Sequence, residues 1–192
     1  MFARHGESEF NLRDAANGDP TAAVDLTPAG IEQARRLGEA VRDEPLDLCV
    51  TTPFLRTRRT ADEALAGRDV PRLEVRELGD PAYGVYEGRP LDDYRAWAHT
   101  ASSSDRPEGG ESRVELVTRY AAGCRTLLAR PETTVLVVCH SLPIAYLLSA
   151  RDGIPPQRRK PMAAHATPHA FDEDELDRAT AVLERWSRAP TW

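Results

Sequence analysis

Apolar positions along the chain alternate between helical spacing and short continuous runs, with proline and glycine marking the breaks between them. Ile31, Ala34, Leu37 and Val41 recur at three- and four-residue intervals, which puts them on one face of a helix. Thr27 caps that helix, Pro28 fits its first turn, and Glu44-Pro45 ends it. Leu46 to Val50 reads as a short strand, and Thr52-Pro53 repeats the cap-plus-proline start for a second helix running to about Leu65. An alternating run at Leu73-Glu74-Val75-Arg76 predicts another strand, and the glycine-punctuated stretch from Glu77 to Gly88 predicts loop. Residues 89–110 are the least regular: loop at Ser102-Ser103-Ser104 and Glu108-Gly109-Gly110 flanks a short helical piece around Tyr94 and Trp97. Ser112 and Glu115 then form a capping box ahead of the stripe Val114, Val117, Ala121, Cys124 and Leu128. Val135 to Cys139 is apolar throughout, as a strand covered on both faces must be. Asp172 to Trp186 closes the chain as an amphipathic helix with Leu176, Ala179 and Leu183 inward.

Strands alternating with helices imply an α/β fold with a largely parallel sheet. With no internal repeat and no linker, residues 1–192 form one expected domain. At 41% apolar and 29% charged residues the composition is that of a globular protein, and no apolar run approaches the ~20 residues of a membrane span. The start, MFARHGESEF, lacks the basic and apolar regions of a signal peptide, so a cytoplasmic location is expected. Cys49, Cys124 and Cys139 are odd in number and widely spaced, which indicates buried thiols rather than disulfides or a metal site. Of 25 basic residues only Lys160 is lysine, a bias that reads as a GC-rich bacterial genome. The net charge of -6 argues against nucleic-acid binding. An anionic ligand therefore needs a local cluster of arginines set against the overall field.

Such a cluster is foreseeable. Arg4-His5, Arg56 and His140-Ser141 each follow a predicted strand or open the next helix. In an open parallel sheet those places converge on the crevice at the carboxyl ends of the strands. Helix N-termini near Thr52 and Ser141 would add backbone N–H groups to it, making a phosphate site.

Arg4-His5-Gly6-Glu7-Ser8-Glu9-Phe10-Asn11 resembles the RHGxxxxN signature of the histidine phosphatase superfamily, in its phosphoglycerate mutase-like branch. Asp25 to Ala34 is similar to that family's LTxxGxxQA segment and Thr52 to Ala61 to its SPxxRxxxTA. Gly109-Gly110-Glu111-Ser112 is similar to its GGES and Val137 to His140 to its VxxH. These motifs stand in the family's order over residues 4 to about 148. The resemblance implies a three-layer αβα sandwich, phosphoryl transfer to the imidazole of His5, and Arg4, Arg56 and His140 around the transferred group. It also implies that Asn11 and Ser141 contribute to substrate binding, and that no metal or other cofactor takes part. The family's acid segment, LxExxxGxxEG, aligns on Leu78 to Gly88 and places Asp80 at the proton donor's position, with Glu77 the alternative. Aspartate is intrinsically the stronger acid by about 0.4 units, so its pocket would have to raise its pKa.

Two departures stand out. The glycine that usually follows the VxxH histidine is replaced by Ser141-Leu142-Pro143, and Met1-Phe2-Ala3 is shorter than the family's first strand, pointing to a misplaced start or a weakened core. Residues 89–110 form the variable cover over the site and are shorter and more acidic than a mutase's, which favours phosphomonoester hydrolysis over mutase-type transfer. A non-catalytic phospho-ligand binder is disfavoured, because the nucleophile and both arginines are present. The expected partner is a small phosphorylated metabolite, with neither nucleic acid nor membrane; a homodimer is left open. Other chemistries fit poorly. A nucleophile elbow at Ser141 lacks its glycines, Cys49 to Arg56 is one residue too long for C-x5-R, Asp172-Glu173-Asp174 lacks a preceding strand, and Pro168 separates His165 from His169.

Overall fold

A computed structural model describes residues 1–158 and 161–192. Five strands form one sheet: β1 (Phe2–Arg4), β2 (Leu48–Thr51), β3 (Arg72–Glu74), β4 (Val135–Cys139) and β5 (Pro168–His169), in the order β3-β2-β4-β1-β5. All neighbours are parallel except β5, which runs antiparallel to β1 at the edge. The uninterrupted apolar run of β4 thus occupies the centre. Leu136 and Val138 face one helical layer, Val137 and Cys139 the other, and all four are buried.

Helices α2 (Pro28–Ala40) and α3 (Leu55–Ala64) cover the first face, packed through Leu37, Ala61 and Leu65 onto Ala3, Cys49 and Leu136. The second face lies under α5 (Arg113–Leu128), α6 (Ser141–Arg151) and α7 (Glu173–Arg188). These are the three layers expected. Each fully buried leucine, such as Leu37, Leu136 or Leu147, contributes about 1.5–3 kcal/mol of transfer free energy. A one-turn helix α1 (Glu9–Leu12) follows β1, and α4 (Leu91–Thr100) lies in the segment expected to cover the site.

Capping chemistry fixed the starts of α2 and α5 as expected, whereas α2 ends at Ala40 and not at Glu44-Pro45. The Thr27 hydroxyl accepts from the Gly30 N–H, Ser112 and Glu115 form the capping box of α5, and Asp172 caps α7. The second helix departs from expectation. It begins at Leu55, not at Thr52, because the Thr57 hydroxyl bonds the Thr52 and Phe54 carbonyls and holds Thr52-Pro53 in a turn outside the helix. No helix N-terminus therefore points from Thr52. Residues 89–110 hold more helix than expected, with ten residues in α4 and Gly110 bridged to Tyr83. No periodicity along the chain marks β5. Its Pro168 is tolerated because the strand is at the sheet edge. Strand β1 has three residues, and its ladder is extended by the Met1 ammonium donating to the Val135 carbonyl.

Two glycines set the entrance to the site. A Cβ on Gly6 would stand 2.4 Å from the Gly30 carbonyl oxygen, and one on Gly30 would stand 2.0 Å from that of Glu7. The loop after β1 thus lies directly on the first turn of α2, which aims His5 back toward the strand ends.

Candidate active site

His5 leaves β1 with its backbone N–H bonded to the Cys139 carbonyl, so it is fixed next to the end of β4, where His140 begins α6. Arg56 reaches the same point from the first turn of α3, and Arg4 from β1. Four residues read as equivalent in the sequence converge, with exposures of 6% for Arg4, 2% for His5, 3% for Arg56 and 0% for His140.

The tautomer of His5 is set by its own backbone. Its Nδ1 lies 2.7 Å from the Gly6 carbonyl oxygen, which can only accept, so Nδ1 carries the proton and Nε2 presents a lone pair. Arg56 Nε donates to that lone pair at 3.2 Å. Burial, then the guanidinium charges of Arg56 and Arg4, hold the His5 pKa well below its ordinary value against the opposing pull of Asp80. The imidazole is therefore neutral at neutral pH. His140 is likewise neutral. Burial lowers its pKa to about 4, although Asp80 opposes this from 3.0 Å off Nδ1. The Thr52 hydroxyl lies 2.9 Å from His140 Nε2.

Asp80 joins these groups, and Glu77 does not. The Asp80 carboxylate is 2.7 Å from Arg56 and 3.0 Å from His140, whereas Glu77 stands apart from the cavity that His5, Arg4, Arg56 and Asp80 line. The expectation that the pocket raises the Asp80 pKa meets the opposite in the empty site. Burial acts upward, but the hydrogen bond from His140 and the charge of Arg56 outweigh it and hold the carboxyl far below the usual carboxylate range.

Asn11 and Ser141 also line the cavity, each with part of its side chain engaged locally. Asn11 Oδ1 accepts from the Ser8 N–H at 2.9 Å, and Ser141 Oγ accepts from the Ala163 N–H at 2.8 Å.

Several residues the sequence reading passed over complete the site. Asn17 accepts from the Arg56 guanidinium through both its side chain and its carbonyl. Arg119 donates to the carbonyls of Glu77, Gly79 and Asp80 at 2.7–2.8 Å and pairs with Glu111 at 2.6 Å, while Glu111 also accepts from the Ala82 N–H. The acid of the GGES-like segment thus clamps the loop that presents Asp80. His165, read as loop, places Nδ1 2.8 Å from the His5 carbonyl oxygen. No local spacing marks Asn17, Arg119 or His165, since the site groups they hold, Arg56, Asp80 and His5, lie 39 or more residues away.

The chain's match to a model of the histidine phosphatase superfamily (branch 1) extends over residues 1–188. The chain belongs to that superfamily. Among curated relatives, the chain is 32% identical over 158 residues to "Uncharacterized phosphatase PhoE" of Bacillus subtilis, covering 81% of this chain and 78% of that one. It is 34% identical over 165 residues to "Adenosylcobalamin/alpha-ribazole phosphatase" of Salmonella typhimurium (77% and 78%). It is 33% identical over 171 residues to "2,3-bisphosphoglycerate-dependent phosphoglycerate mutase" of a Methylobacterium species (80% of each). Among solved structures, YhfR of Bacillus stearothermophilus superposes with a TM-score of 0.70 at 25% identity, covering 80% of this chain and 79% of that one. Phosphatases and mutases thus both appear among the relatives.

His5, Asp80 and His140 bring ligand-type atoms within 4.8 Å of one another, the donor set a metal could use. Arg56 already sits among them, 2.7 Å from Asp80 and 3.2 Å from His5 Nε2. A metal cation there would meet the guanidinium charge at contact distance. The arrangement suits an anion: a cavity of about 160 Å³ lined by Arg4, Arg56, Arg95 and Arg113 against the single carboxylate of Asp80. Among the described residues, no helix is long and apolar enough to cross a membrane.

Proposed function

We propose that this member of the superfamily is a metal-independent phosphomonoester hydrolase that acts through a phosphohistidine at His5. The observation carrying the reading is the neutral, Nδ1-protonated imidazole whose Nε2 lone pair opens on the arginine-lined cavity. Phosphate-monoester hydrolysis needs up to roughly 10²¹-fold acceleration, and one preorganised donor supplies only about 2.7–4 kcal/mol, so several groups must act together.

Nε2 of His5 attacks phosphorus in line while the bond to the leaving oxygen breaks, Arg4 and Arg56 balance the charge on the equatorial oxygens, and His140 offers a hydrogen bond beside them. Asp80 gives its proton to the departing oxygen. The carboxylate takes up that proton from solvent as the substrate binds. A phosphate dianion drawing on Arg56 weakens the pair that keeps Asp80 ionised, so the carboxyl pKa rises as the ester binds. Water then attacks the phosphohistidine, its proton passes to the Asp80 carboxylate, and orthophosphate and free His5 are released.

Hydrolysis is favoured over mutase-type transfer by the cover. Of the arginines in residues 89–110, only Arg95 lines the cavity, and it is paired with Asp92 at 2.9 Å and Asp14 at 3.5 Å; Arg106 is paired with Glu115 at 2.8 Å, and Arg89 is exposed. The cover thus presents no unpaired arginine to the cavity that would hold an intermediate in place for a second transfer. The test is turnover of a generic aryl phosphate with EDTA present, beside His5→Ala. Activity is expected to withstand EDTA and to vanish with His5; loss with EDTA or survival in His5→Ala overturns the mechanism.

A further inference from the structure

Besides Arg4, one further cation at the site has no ion-paired acid among the described residues. Arg113 is the first residue of α5, where the positive end of the helix dipole disfavours a cation. Its guanidinium is buried, and its Nη1 has no hydrogen-bond partner. The acids beside it in sequence are engaged elsewhere: Glu111 with Arg119 at 2.6 Å and Glu115 with Arg106 at 2.8 Å. What faces Arg113 are phenols, those of Tyr146, Tyr94, Tyr120 and Tyr83. Among the described residues no carboxylate forms an ion pair with it. A buried charge without a counter-ion at a helix N-terminus costs stability on three counts, and a ligand anion would relieve all of them.

Its place tells which anion. Arg113 lines the cavity that holds His5, Arg4 and Arg56, and it also lines a neighbouring cavity of about 580 Å³, the two sharing Tyr94, Arg95 and Leu142. A phosphomonoester seated at His5 would lead its tail past Arg113 into the second cavity. Arg95, the other arginine on the shared wall, is half-exposed and already paired. Resting on the phosphohydrolase reading above, we propose that Arg113 is a specificity-determining residue. It receives a second acidic group, a carboxylate or a second phosphate, on the tail of the substrate. The guanidinium matches either anion through paired N–H donors.

The experiment measures binding in the His5→Ala protein, so that it does not depend on turnover. Calorimetry compares ω-phosphooxy carboxylic acids of two to five carbons with their amides, which differ only in charge, and with α,ω-alkanediol bisphosphates. The best acid or bisphosphate is expected to bind tighter than the matched amide by about tenfold or more, the worth of one charge-assisted hydrogen bond. The rank of acid against bisphosphate tells which group the site takes. Arg113→Met in the same background removes the discrimination, and Arg113→Lys retains part of it. Equal binding of acids and amides with Arg113 in place overturns the proposal without recourse to any Arg113 variant, as does discrimination that survives Arg113→Met. Hydrolysis is read separately on the His5-bearing protein. If neither aryl phosphate nor phosphooxy acids turn over, the hydrolase reading fails while the binding comparison still decides the role of Arg113.

Discussion

Replacing Asp80 by asparagine separates its two duties, as the acid for the leaving oxygen and as the counter-ion of Arg56 and His140. The carboxylate lies 2.7 Å from Arg56 and 3.0 Å from His140, and its side chain is 20% exposed while theirs are 4% and 0%. Losing a general acid costs about 10²–10⁴ in rate, or roughly 2.7–5.4 kcal/mol of transition-state stabilisation. The loss should fall on alkyl phosphates, whose alkoxide must be protonated, and largely spare p-nitrophenyl phosphate, whose phenolate leaves as a stable anion. Breaking a buried ion pair costs up to about 3–5 kcal/mol. Here the cost should sit at the low end, because Asn17 still accepts from Arg56. For a domain of this size about 3 kcal/mol is a fall in Tm of roughly 6–12 °C. Orthophosphate should bind Asp80→Asn at least as tightly as the parent protein, since it no longer competes with a carboxylate for Arg56. The assays are kcat/KM on the two esters, thermal melts and phosphate titration. An equal loss on both esters, or an alkyl phosphatase that tolerates Asp80→Asn but not Glu77→Gln, refutes the assignment.

Arg119→Met removes the clamp on the Asp80 loop. It should lower kcat on alkyl phosphates more than on p-nitrophenyl phosphate and destabilise the fold by a few kcal/mol, in the range of ~3–5 kcal/mol for breaking a buried pair, as read by paired kinetics and chemical unfolding. Stability should fall with acid below neutrality. His140 stays neutral in the folded protein down to about pH 4, while an unfolded histidine takes up its proton near 6.5. Between those values the unfolded state binds more protons, so stability rises with pH and is lost as pH drops. About 3 kcal/mol comes from His140 at full shift, with His5 acting in the same direction. A Tm that is flat from pH 7 to pH 5 would count against the buried neutral histidines.

The protein's local chemistry was legible residue by residue. Thr27, Ser112 and Asp172 cap helices because a side-chain oxygen two or three residues from an orphan N–H can do little else. The uniform hydrophobicity of Val135–Cys139 marks a strand buried on both faces, and it sits at the centre of the sheet. The start of α3 was misread because the same Thr-Pro pattern that opens α2 is here bound from within by Thr57, a competition that only the folded turn resolves. Strand β5 was missed because two residues carry no periodicity, and it exists only where β1 leaves an edge to pair with.

The sequence by itself determined the α/β alternation and the convergence of Arg4, His5, Arg56 and His140, because strand ends in a parallel sheet meet at one place whatever the loops between them do, while Asp80 was legible only through the family resemblance of Leu78 to Gly88. Tertiary structure alone decided the chemical state of those groups. The neutrality of His5 comes from burial and from Arg56 and Arg4, and the ionisation of Asp80 from Arg56 and His140, brought to it across 24 and 60 residues of chain. It alone also decided that Arg113 would stand without an acid of its own. Charge and solvation act through space, and a sequence orders residues only along the chain.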